Sequence, residues 1–239
     1  MKRVLYVYAM TNDSGFAPCI KDNLLSLACC KGGKNGGMRK AAGNDFNAGN
    51  EVWVLGVCGA GLASSNEKMK YNPVYLAKID NVIEMTEYFE SGNQYKGRFD
   101  HIAYRTIDGG LKSQPENPHT DENDQKKDIN GKYVLLSNHF VYWGEKCGES
   151  GLELRELYPA IFKGDGTKKG VEEHYRGYLV DRDFVFNVES DLSKFNWFPG
   201  QDKCNIITTK SISGEYVYTE EEDNCEEEHI VCLSCGGKK

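Results

Sequence analysis

No apolar run in the 239 residues approaches the length of about 18–20 that a membrane-spanning helix requires, so a membrane is not an expected partner. A basic excess is also missing. Acidic residues number 36 against 29 basic ones, for a formal charge of −7. Proteins held on duplex DNA by phosphate contacts usually carry a clear positive excess, so any nucleic-acid role would rest on a local patch, a single base or a free nucleotide. Three catalytic spacings are absent as well. There is no G-x-x-x-x-G-K-[ST], no G-x-G-x-x-G and no G-x-S-x-G, which removes sequence support for a P-loop, a dinucleotide fold or a serine-hydrolase elbow. The opening stretch MKRVLYVYAM lacks a small-residue cleavage site behind its apolar part, and it reads as a first β-strand rather than an export signal.

Cysteine, by contrast, is abundant. There are nine, an odd number, with Cys29 and Cys30 adjacent. Adjacent cysteines rarely form a relaxed disulfide, and without an export signal reduced thiols in a cytoplasmic protein are expected. At this length a core can form without disulfides or metal.

Residues 3–10 and the stretch EVWVLGVCGA read as strands, as do YNPVYLAKIDNVI, FDHIAYRT and KYVLLSNHFVYWG. IKDNLLSLACCK places Ile20, Leu24, Leu27 and Ala28 at helical spacing, which predicts a weak helix there. Residues 31–37 are too glycine-rich for a helix, MRKAAGN offers one helical turn, and EMTEYFESG a short helix closed by Gly92. GLELRELYPAIF looks helical. The polar segment at about 108–132 predicts a long loop. Strands and short helices without a regular βαβ rhythm predict an α+β fold. We expect one domain over residues 1–215 and an acidic, cysteine-rich tail over 216–239.

Several groups of residues carry candidate chemistry. KGGKNGGMRK holds four cations in ten residues, Lys31, Lys34, Arg39 and Lys40, beside free backbone N–H groups, a composition suited to a phosphate. Cys29 is expected to be a core thiol. Cys30, beside Lys31, is left open as a nucleophile, because a neighbouring ammonium lowers a thiol pKa. Histidines are few, five in all. His119 in the polar loop and His139 on a strand are acid–base candidates together with Asp13; His139 is equally a candidate for a structural histidine. His101 follows Asp100, a pairing that suits acid–base work. In the tail, Cys225, His229, Cys232 and Cys235 bring four candidate metal ligands into eleven residues, a candidate structural zinc site. Its ligand pairs lie closer together than is usual, and Cys204 is an alternative member.

The order of short motifs resembles one known family. Asp13-Ser14-Gly15-Phe16-Ala17-Pro18, Leu27 to Lys31, Met38-Arg39, GNEVWVLG at 49–56, Tyr75-Leu76-Ala77, DHIAY at 100–104, His119, VLLSNHFVYWG at 134–144 and HYRGYLV at 174–180 resemble the nucleotide modification associated domain, type two. The resemblance covers about residues 1–200. It implies an association with nucleotide or DNA-base modification, often in phage or anti-phage settings, without naming a reaction. The insert GGKNGG between Lys31 and Arg39 and the cysteine-rich tail depart from the family's pattern. GNEVWVLGV through TEYFE also resembles base-reading PUA- and EVE-like barrels, which implies a small mixed β-barrel or curved sheet with short helices. Such barrels hold a flipped or modified base among aromatic and polar side chains.

These readings converge on a flat, phosphate-bearing ligand. Lys31 and Arg39 are expected as cations at a pocket mouth, with Trp53, Tyr104 and Tyr142 as stacking or polar walls. Two functions follow: a module that binds a nucleotide, a modified base or a flipped or single-stranded nucleic acid, or an enzyme that alters one with Asp13, His119 and His139. A third is a partner-binding protein acting through its acidic tail, although acidic runs are usually only solvated.

Overall fold

The computed structural model describes residues 1–31, 37–59, 61–65, 71–90, 92, 94–115, 117, 119–144 and 147, together with the strand residues 178–181, 210–211 and 214–215. The helix expected at GLELRELYPAIF and the tail ligands Cys225, His229, Cys232 and Cys235 lie outside the described residues.

β1 (Arg3–Met10) and β4 (Glu51–Cys58) run parallel along their whole length, Arg3 opposite Glu51 and Met10 opposite Cys58. Both are apolar on both faces, with Val4, Leu5, Tyr6, Val7 and Tyr8 all buried. That is the pattern of a strand covered from two sides rather than an alternating surface strand. β5 (Pro73–Lys78) joins β4 antiparallel, β10 (His139–Tyr142) joins β5, and β11 (Tyr178–Asp181) joins the far side of β1, giving the order β10-β5-β4-β1-β11.

A second sheet has the order β2-β3-β9-β6, built from β2 (Cys19–Lys21), β3 (Leu24–Leu27), β9 (Tyr133–Ser137) and β6 (Asn81–Glu84). The stretch expected as a weak helix is thus a β-hairpin. Lys21 pairs with Leu24 across a two-residue turn in which Asp22 and Asn23 have φ of 53° and 56°. Two successive left-handed residues make a tight hairpin turn, and Asp and Asn adopt that conformation more readily than other side chains. The helical spacing of the leucines was a coincidence of a short segment.

The two sheets share a corner. β5 leads into β6 through Ile79 and Asp80, and β9 leads into β10 through Asn138, so each ribbon leaves one sheet and enters the other. The Asp80 carboxylate accepts from Asn138 N (2.7 Å) and His139 N (3.2 Å) and pairs with His139 Nδ1 (2.7 Å). Ser137 Oγ donates to Lys78 O at 2.6 Å. The single long strands expected at YNPVYLAKIDNVI and KYVLLSNHFVYWG are therefore each two strands divided by this corner. Among the described residues the sheets do not close into a barrel.

α1 (Gly37–Asn47) is longer than the one turn expected and lies against both sheets. Tyr6 OH donates to Asp45 at 2.5 Å from the first sheet. Gly43 meets Tyr133 of β9 so closely that a Cβ there would lie 2.3 Å from the ring. The expected loop at 108–132 contains β8 (Leu111–Ser113), hydrogen-bonded to β7 (Ala103–Arg105), and α3 (Glu122–Ile129). Asp121 caps α3 by accepting from the N–H groups of Asn123 and Asp124, the usual role of an N-cap carboxylate. The remaining elements are α2 (Met85–Tyr88), a 3-10 turn at Leu62–Ser65, and the short pair β12 (Lys210–Ser211) and β13 (Gly214–Glu215). The architecture is mixed α+β with several sheets and few short helices. No helix among the described residues is long and apolar enough to cross a membrane.

Candidate active site

β3 ends in a turn that carries the two adjacent cysteines. Cys29 is buried and its Sγ donates to Phe16 O at 3.0 Å. Cys30 is partly exposed and holds φ at 53°; Lys31 follows at 48°. Two consecutive non-glycine residues in the left-handed region store strain, roughly 1–2 kcal/mol each. The turn is kept in place from both ends of the Cys30 backbone: its N–H donates to Asp128 Oδ1 at 3.0 Å, and its carbonyl accepts from Arg39 Nε at 2.9 Å.

Asp128 comes from α3, a helix with almost no apolar residue, in which it is the one fully buried side chain. Its second oxygen, Oδ2, bonds Nδ1 of His119, which is also buried. The Phe16 ring stands edge-on to the imidazole with centroids 5.1 Å apart, and Gln125 Nε2 donates to the His119 carbonyl at 2.6 Å. The ligand atoms of Cys30, His119 and Asp128 all fall within 4.8 Å of one another. That spacing would also suit a metal ion. However, His119 Nδ1 and Asp128 Oδ2 face each other across a hydrogen bond, which commits both to a shared proton. The arrangement is that of a thiol, an imidazole and a carboxylate in series, the order used by nucleophile–base–orienter triads.

The electrostatics follow from the geometry. The adjacent Cys29 side chain, and then His119, pull the Cys30 thiol down to about 6, against the effects of burial and the nearby Asp128 charge. Burial pushes Cys29 the other way, well above the ordinary thiol value. The two adjacent thiols are thus pushed in opposite directions.

Arg39 was expected at a pocket mouth; the structure places it in the interior, with no exposed surface. Its guanidinium donates to the carbonyls of Cys30, Ala28, Tyr133 (3.1 Å) and Asp128 (2.8 Å) and contacts Met85 Sδ. A cation this deep is tolerated only when its donors are satisfied, and Gly131 makes room for it, since a Cβ there would lie 2.3 Å from Nη2. Arg39 thus anchors the main chain of both Cys30 and Asp128 from beneath. Burial lowers its pKa, partly offset by the charges of Cys29, Asp128 and Cys30.

The other expected site residues divide into two groups. Lys31 lies over the Tyr8 ring, Nζ 4.4 Å from the centroid. Tyr8 shares a 2.8 Å hydrogen bond with Tyr75, and Tyr142 donates to the buried Asp13 at 2.5 Å. Burial raises the Tyr8 pKa most, and the charges of Cys30 and Asp13 raise it further. His139 sits at the sheet corner with Asp80, away from this group in role. Trp53 is buried and donates from Nε1 to Glu51 at 2.8 Å, inside an ion cluster with Arg3 and Lys78, so its face is not free for a base. Tyr104 stands exposed on the β7–β8 hairpin opposite Lys112.

Sequence reading left Asp128 out. Its only sequence signal is negative: α3 has nothing apolar to dock with except Ile129, so a polar residue must do the docking. His101 has a lesser role than expected. Its ring lies against Tyr88 and Phe89, its Nε2 is buried without a hydrogen-bond partner among the described residues, and burial lowers its pKa. Asp100 instead binds Ser26 (2.6 Å) and Tyr88 (2.7 Å) in a buried network with Arg98.

Residues 1–175 match the family model described as nucleotide modification associated domain 2, and the chain belongs to that family. No curated protein and no solved structure matches it.

Proposed function

We propose that the chain is an enzyme of nucleotide modification, which binds a nucleotide or a nucleic-acid base beside Cys30 and reacts with it there. The observation that carries this reading is the convergence of Cys30, His119 and Asp128 within 4.8 Å at the end of β3. A module that only holds its ligand has no use for a strained, low-pKa thiol backed by a buried imidazole and carboxylate, and such groups gather where chemistry is done. Lys31, next to Cys30 and only partly buried, supplies the cation for a phosphate. The family's association with nucleotide modification points the same way. The corner shared by the two sheets suits a base-reading fold of the PUA and EVE type.

The test is to incubate the protein with a pool of nucleotides and modified nucleosides and to weigh both the bound and the free fractions by mass spectrometry. Loss of one component with growth of a new mass, abolished in His119→Gln and weakened in Lys31→Ala, is expected. A ligand retained with its mass unchanged would instead make the protein a reader or a sequestering module.

A further inference from the structure

We propose that Cys30 acts by acyl transfer, cleaving an amide or ester carried by the nucleotide or base through a thioester on its Sγ. This rests on the nucleotide reading only for what bears the acyl group; the chemistry is argued from the triad itself.

Three features of the site favour this step. Cys30 is the one member of the trio with exposed surface, while His119 and Asp128 are buried behind it. Cys30 is therefore the member of the trio that a substrate can approach. The left-handed turn at Cys30 and Lys31 lifts that residue out of the strand direction and is held there by Asp128 and Arg39, as strain at a nucleophile usually is. Asp128 fixes Nδ1 of His119 and the imidazole acts on the Cys30 thiol, so His119 can carry a proton between sulfur, leaving group and water.

The steps balance with these groups and water alone. The Cys30 thiolate attacks the carbonyl carbon, a C–S bond forms, and the π pair moves to oxygen. As the carbonyl reforms, the C–N or C–O bond to the nucleotide breaks, and His119 gives its Nε2 proton to the departing amine or alcohol. Water then attacks the thioester, giving its proton back to His119. The C–S bond breaks, and a carboxylic acid leaves while the thiolate is restored. Addition of the same thiolate to a ring carbon of a base would need a second, separate electrophile to be transferred. Acyl cleavage needs only water.

The experiment uses the full chain, 4-nitrophenyl acetate as acyl probe and iodoacetamide as thiol probe. Expected with the ester are a burst of nitrophenolate, an acetyl group mapped to the peptide of Cys30, and its slow release. Cys30→Ala should lose the burst. His119→Gln should acylate roughly a hundredfold more slowly, and its Cys30 alkylation midpoint should move from about pH 6 towards the ordinary thiol value. Should His119→Gln not fold by circular dichroism, the wild-type alkylation profile decides. A midpoint near 6 for Cys30 alone supports the proposal, and one near that of a free thiol overturns it. Acetylation of Cys30 no faster than of the other thiols overturns it too, as does a purified protein holding one zinc per chain whose removal by chelator first exposes Cys30. A nucleotide-pool component that is converted while no acyl adduct ever forms overturns acyl transfer and leaves the nucleotide reading standing. Acyl turnover that no pool component inhibits leaves acyl transfer standing and removes the nucleotide.

Discussion

Replacing Arg39 by methionine keeps most of the side-chain volume and removes the guanidinium. Four main-chain carbonyls then lose a donor: those of Ala28, Cys30, Asp128 and Tyr133. Each buried acceptor left unsatisfied costs roughly 1–3 kcal/mol. Carbonyls have two lone pairs, and those of Tyr133 and Asp128 belong to a strand and a helix, so the lower bound is the fitting one, and the sum is about 4 kcal/mol. The desolvation of a cation is relieved at the same time, which works against the loss. Even so, removal of one partner from a buried charged network commonly costs about 3–5 kcal/mol. A domain of this kind has a total stability of about 5–15 kcal/mol, so Arg39→Met should unfold at a much lower urea concentration than wild type. Urea unfolding followed by tryptophan fluorescence measures this. A second readout separates anchoring from bulk stability. In the folded variant the Cys30 turn is released, and its alkylation below pH 7 should slow towards that of an ordinary thiol. A stability change under 1 kcal/mol, with alkylation unaltered, would refute the view that Arg39 holds the site from beneath.

Other perturbations bear on separate parts of the structure. The Cys30 thiolate is stabilised by folding, so its contribution is complete above the ordinary thiol range, falls as pH drops towards about 6, and is gone below that. The difference in melting temperature between wild type and Cys30→Ala should therefore grow from pH 6 to pH 9, and a difference constant with pH would contradict it. Cys30→Gly removes the thiol and relieves the left-handed strain at once; at pH 5 it should be at least as stable as wild type by thermal unfolding. Asp80→Ala strips the corner of its acceptor for two N–H groups and for His139, and should cost about 1–3 kcal/mol while leaving Cys30 alkylation unchanged. Gly43→Ala drives a methyl into the Tyr133 ring and should cost about 1–3 kcal/mol by overpacking, read from chemical denaturation.

How much of this was legible in the sequence depended on the range of the interaction. β1 and β4 were plain because their runs of valine, leucine and tyrosine are the same signal whatever packs on them. The hairpin at Asp22-Asn23 was misread because its decisive feature is backbone sign at two polar residues, while the leucine spacing around it fits a helix as well as a strand. The long β-prone stretches gave no sign of the corner, since Asp80 and Asn138 look like any polar residues until the two ribbons meet. The site shows the same division. Cys30, Lys31 and His119 were visible as reactive types. Arg39 was legible as a cation, but its depth was not, because it is specified by the carbonyls of the Ala28–Cys30 turn, of the distant Asp128 and Tyr133, and by the gap over Gly131. Asp128 was missed for the same reason: it is 98 residues from the Cys30 amide it binds.

Asp128 also provides the sharpest separation between support and chemistry. One oxygen accepts from the Cys30 N–H and the other bonds His119 Nδ1. In Asp128→Asn the amide keeps the shape of the side chain, and the Cys30 N–H still needs an acceptor, so the Asn oxygen must stay on that side. Its NH2 group is then turned towards His119. The imidazole can meet it only by accepting at Nδ1, which places the ring proton on Nε2. His119 is thereby fixed in the tautomer that cannot take a proton from sulfur or water. The fold has lost little, because both hydrogen bonds persist with their roles redistributed, and the melting temperature should move by only a few degrees. The reaction has lost its base, and in a triad the wrong tautomer costs on the order of 10⁴ in rate. Asp128→Ala, in contrast, removes both bonds and should lose stability and activity together. Acyl turnover by Asp128→Asn within tenfold of wild type would mean that His119 does not carry the proton, and that Asp128 is there only to hold the turn.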